Sequence, residues 1–72
     1  MPYPSIADLP PSVRHALPAH AQEIYRAAFN NAWARYAATG DEAIVHRIAW
    51  AAVKRSYEKR DGVWVPRLLH NV

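Results

Sequence analysis

A small compact all-α domain is what this 72-residue sequence predicts. Its expected plan is a central C-terminal helix packed by a long second helix and a short first helix, with extended termini pairing as a minimal β-ribbon. Three observations carry that expectation. The stretch Ile48-Ala49-Trp50-Ala51-Ala52-Val53-Lys54 lies in a helix-patterned segment that is apolar on nearly every side. A helix with so little polar face is normally buried in the middle of its domain. Apolar residues from Ile24 to Tyr36 recur at one-face helical spacing. Prolines crowd the first eighteen residues and glycine occurs only at positions 40 and 62, which punctuates the helices.

Taken in order, Pro2, Pro4, Pro10, Pro11 and Pro18 restrict the N-terminal segment. Each proline fixes its own φ and pushes the preceding residue toward extended geometry, so Met1 to Ile6 should run extended within an arm of about residues 1–9. Pro10 or Pro11 can open a short helix to Ala16, since a first-turn N–H has no helical partner to lose. Val13 and Leu17 would face inward, and Pro18 forces a break. The second helix should span about Pro18 to Ala38. Its inner face holds Ile24, Tyr25, Ala28, Phe29, Ala32, Trp33 and Tyr36, and Glu23, Arg26 and Asn30 fall opposite. Gly40 ends it in a left-handed conformation. Asp41 is placed to cap a third helix of about Glu42 to Lys59, with Glu42 favoured by the helix dipole. On that helix only Arg47, Lys54 and Glu58 share a polar stripe, so truncation of a buried Trp50 to alanine should cost roughly 3–5 kcal/mol. After Gly62, Val63-Trp64-Val65 is expected to be extended and to pair with the Tyr3 region, and residues 67–72 form a frayed tail.

Composition narrows the function classes. The chain has length for one domain, residues 1–72, near the lower limit of what folds without a staple. It has no cysteine, which excludes disulfides and thiolate metal sites. Its hydrophobic fraction of 51% is rich in large rings, which suits a small core. No apolar run is long enough to span a bilayer, and MPYPSIADLPP lacks the basic and apolar regions of a signal peptide. A cytoplasmic protein is the expectation. A net charge of +3 suits nucleic acid, an anionic membrane surface or an acidic partner, and decides among none of them.

Candidate chemistry is sparse. The only concentrated charge is Arg47, Lys54, Arg55, Lys59 and Arg60, a face that could meet phosphates or an acidic partner. The helix dipole also favours basic residues at a C-terminal end, and Glu58 and Asp61 dilute the cluster. His46 lies four residues before Trp50, a spacing that stacks imidazole on indole and makes His46 a candidate pH-sensitive contact. His15 and His20 flank the Pro18 break without the convergent ligand spacing of a metal site, so no metal and no cofactor is expected. Ser5, Ser12 and Ser56 lack a nucleophile elbow, and no glycine-rich phosphate loop exists. The chain is not expected to be an enzyme.

Four blocks together resemble the ChaB-like family. They are MPYPSIADLPPSV, LPAHAQEIYRAAFNNAW (Leu17 to Trp33), HRIAWAAVKRSY (His46 to Tyr57) and EKRDGVW, and they cover almost the whole chain in order. The resemblance implies a small helical domain and a regulator of cation transport, associated with a membrane cation/proton antiporter. Links of viral members to DNA make a nucleic-acid-binding module, using the basic face of the central helix, the alternative. One departure stands out. Family members usually carry a longer, highly charged loop before the central helix, whereas here only Ala37 to Asp41 makes the connection.

Overall fold

The structure is a computed structural model and describes residues 3–67. A 3-10 turn at Ile6–Asp8 leads into α1 (Pro11–Ala16) and α2 (Ala19–Tyr36). A second 3-10 turn, Ala37–Thr39, precedes α3 (Glu42–Ser56) and two strands, β1 (Tyr57–Arg60) and β2 (Val63–Pro66).

The helix boundaries have local causes. Pro11 occupies the first turn of α1. Leu17 is extended, as a residue before proline should be, and its φ of −112° and ψ of 141° end α1. Gln22 then donates from Nε2 to the carbonyls of Leu17 (2.8 Å) and Arg14 (3.2 Å), satisfying oxygens that α1 leaves open. Gly40, at φ 73°, reverses the chain after α2. Asp41 caps α3 as expected, its carboxylate accepting from the Ile44 N–H at 3.3 Å.

The core is a seam between α2 and α3. Ala21, Tyr25 and Phe29 on one helix and Val45, Ala49 and Val53 on the other recur every four residues and are all buried, joined by Leu9, Val13, Leu17, Ala32 and Tyr57. Five residues connect the two helices, so they run antiparallel. The predicted class, a small helical domain with a minimal ribbon, is the one observed.

Four details differ from the sequence expectation. The first concerns α3, which is central but not wrapped. Ala43, Arg47, Ala51, Lys54, Arg55 and Ser56 are exposed, and Trp50 is only partly buried. Exposing an alanine methyl costs little. The second is the partner of the extended C-terminal segment. α3 stops at Ser56 rather than Lys59, and Tyr57–Arg60 pairs antiparallel with Val63–Pro66. Asp61 and Gly62 both have positive φ (53° and 80°), which suits the twist of a two-residue hairpin turn. The pairing is thus within the C-terminal segment and not with the Tyr3 region.

Thirdly, Arg26 and Asn30 do not face open solvent. Asn30 brackets the Tyr3 backbone, with Oδ1 accepting from its N–H (2.8 Å) and Nδ2 donating to its carbonyl (3.0 Å). Arg26 donates to the carbonyls of Tyr3 and Pro4. Lastly, Arg67 is anchored, its N–H donating to the Ser56 carbonyl and its guanidinium to the Lys54 carbonyl and the Glu58 carboxylate. Met1, Pro2 and residues 68–72, parts of the expected arm and tail, lie outside the described residues.

These burials predict unequal truncation costs. Phe29→Ala, at a fully buried position, should lose roughly 3–5 kcal/mol in urea unfolding. Trp50→Ala should lose less, because the indole is only partly buried. Equal losses would contradict this placement.

Candidate interaction surface

One side of the α2–α3 pair is closed by rings. Tyr3 packs on Phe29 with centroids 4.7 Å apart, Phe29 meets His46 edge-on at 4.9 Å, and Tyr25 meets Trp50 edge-on at 5.4 Å. Trp50 continues to Trp64 of β2 at 5.7 Å. His46 therefore packs against Phe29 and Tyr25, not in the stack on Trp50 that its spacing suggested. Its Nδ1 lies 2.6 Å from the Tyr25 hydroxyl. The phenol can donate to an unprotonated Nδ1, or a protonated Nδ1 can donate to the phenol oxygen, so the pair survives a change of imidazole charge by exchanging donor roles. Burial, followed by the charges of Tyr3 and Glu42, pushes the Tyr25 phenol up to about 12. Burial and then Glu42 also raise the Tyr3 phenol.

The basic residues singled out by the sequence are all exposed. Arg47, Lys54 and Arg55 lie on the outer face of α3, and Lys59 and Arg60 on β1. Arg60 pairs with Glu58, which Arg67 also reaches at 3.3 Å. Among the described residues, Arg47, Lys54, Arg55 and Lys59 have no acidic partner. The hairpin carries Lys59 and Arg60 away from the helical course they would have followed had α3 continued. The five residues thus form a helix face and a ribbon, not one stripe.

Apart from those ring contacts, α2 and α3 leave an open groove of about 760 Å³, with Tyr36 in its lining. Its floor is Ala28, Ala32, Ile48, Ala51 and Ala52, and Arg35 and Arg55 stand at its edges. No carboxylate lines it. Arg35 escaped the sequence reading because it is isolated from other basic residues along the chain. The helix hairpin is what brings it into the same groove as Arg55.

The remaining histidines are dispersed. His20 shares a hydrogen bond with the Tyr57 hydroxyl at 3.1 Å, tying the start of α2 to the ribbon, and His15 is exposed. Among the described residues, no three His, Asp or Glu side chains gather as a metal would require.

Residues 9–67 match the family model of ChaB. The chain belongs to the ChaB family. A relative from Escherichia coli K12 is 50% identical over 68 residues, covering 85% of this chain and 90% of its own length. A Shigella flexneri relative matches to the same extent, and both are called "Putative cation transport regulator ChaB". The solution structure of a ChaB protein superposes with a TM-score of 0.80 at 45% identity, covering 93% of this chain and all of that one.

Tyr25 gives a pH test. Its phenol titrates higher in the folded chain than in the unfolded one, so its contribution to stability is complete below about pH 10 and is lost as pH rises toward 12. The stability difference between wild type and Tyr25→Phe should shrink across that interval in urea unfolding. A difference independent of pH would show that the phenol does not titrate in this way.

Proposed function

We propose that this chain is a non-enzymatic regulatory protein of cation transport. It acts in the cytoplasm through direct contact with a membrane cation/proton antiporter. The observation that carries the reading is the match, over 85% of this chain, to relatives named for cation transport regulation. Two features of the chain support action by contact. No helix among the described residues is long and apolar enough to cross a membrane. Its exposed cations at Arg47, Lys54, Arg55 and Lys59 also lack internal partners among the described residues, leaving their charge available to an acidic surface. Arg60 contributes less, because Glu58 already engages it. His46 adds a pH-sensitive contact. Its ring is partly exposed and bonded to Tyr25, so a change in its charge alters both the local field and the donor roles of that pair.

The reading predicts that deleting the gene changes cation-dependent proton flux in everted membrane vesicles under salt or alkaline stress, and that added purified protein restores it. Lys54→Glu with Arg55→Glu should abolish restoration while the circular dichroism spectrum stays helical. Unchanged fluxes on deletion would sink the antiporter reading. Retarded duplex DNA whose binding falls steeply with salt would instead favour the nucleic-acid alternative.

A further inference from the structure

We infer that the groove between α2 and α3 docks an amphipathic helix of a protein partner that carries acidic residues toward both ends. The inference rests on the reading above only in taking the partner to be a protein. The two sides of the helix pair are finished differently. Tyr3, Trp50, Trp64 and the arm held by Asn30 close one side, whereas nothing among the described residues covers the other. There the lining is mostly methyl groups, Ala28 and Ala32 from α2 and Ala51 and Ala52 from α3, with Ile48 and the partly buried Tyr36 beside them. Small side chains at a helix contact permit a short interaxial distance, so a third helix could lie deep between these two.

Charge selects the occupant. Arg35 lies in the last turn of α2 and Arg55 in the last turn of α3. Because the helices run antiparallel, these cations stand toward opposite ends of the groove. Neither has an acidic partner among the described residues, and no carboxylate lines the space between them. The complementary ligand has small apolar residues facing the floor and a carboxylate near each end. A phosphate backbone would gain nothing from the alanine floor, and a lipid surface fits a convex face rather than a concave one.

The test is an NMR titration of the full ¹⁵N-labelled chain with a synthetic helical peptide of about 18 residues, about 27 Å long. It carries an Ala/Leu face and glutamates in its first and last turns. Saturable shifts should centre on Ala28, Ala32, Ala51 and Ala52. Replacing the peptide's glutamates by glutamine, or the protein's Arg35→Glu with Arg55→Glu, should weaken binding about tenfold at low salt. Ala51→Glu, at an exposed position that leaves the core untouched, should block binding while preserving the helical spectrum. Absent shifts, shifts centred on the ribbon, or equal binding of the glutamine peptide would overturn the groove. Groove binding combined with unchanged fluxes on deletion would overturn the antiporter reading and leave the groove standing. Flux regulation that survives Arg35→Glu with Arg55→Glu would do the reverse.

Discussion

The close approach of α2 and α3 along Tyr25, Phe29, Val45, Ala49 and Val53 is the contact on which the other elements depend. Small residues make it possible. Ala21, Ala32 and Ala49 are buried in the seam, so the helix backbones come near enough for two large rings to fill what remains. Apart from the Tyr25 phenol the seam is apolar, and that hydroxyl is satisfied by His46 at 2.6 Å. An unpaired buried hydroxyl would cost roughly 1–3 kcal/mol, so the imidazole has a structural task whatever else it does. The arm docks on the outer face of α2 through Asn30 and Arg26. The ribbon docks through Trp64 on Trp50 and through Tyr57 with His20. The ribbon meets both helices at once, so its attachment needs the seam to have formed.

Because arm and ribbon both attach on or beyond the ring-rich side, the pair is closed asymmetrically. Among the described residues α3 is followed by a hairpin of two four-residue strands, and it keeps an exposed flank that its composition would place inside. The result explains how a helix can look like the middle of a domain in sequence and sit half in water in the fold.

What the sequence revealed follows from how strong each local signal is. Pro11, Pro18, Gly40 and Asp41 act within a few residues of themselves, so the starts and stops of α1, α2 and the start of α3 were legible. The end of α3 was not, because Tyr57 continues the helical spacing of Val53 and Gly62 served equally well as a helix stop. The deciding signal was the dipeptide Asp61-Gly62, which favours a tight hairpin and so recruits the four residues before it as a strand. Counting alanine as apolar misjudged α3, since a methyl group gains little from burial and loses little from exposure. The basic residues were correctly expected at the surface. Their division between helix and ribbon, and the placement of Arg35 and Arg55 toward opposite ends of one groove, required the tertiary fold.

Family membership rests on blocks whose buried residues build the seam, so it testifies to the fold first. Function has to be sought in what the seam does not need. On an exposed helix an arginine is commonly supported by a glutamate four residues earlier, a pair worth about 0.2–0.5 kcal/mol. Four residues before Arg55 stands Ala51, and four before Arg35 stands Asn31, and both line the groove. Helix propensity alone would accept alanine at position 51, but it does not account for asparagine at position 31, a weaker helix former than glutamate. A surface shaped only for stability would pair these cations internally. Among the described residues both guanidinium groups lack acidic partners and stand beside an apolar floor, which keeps their charge available to a partner that supplies carboxylates.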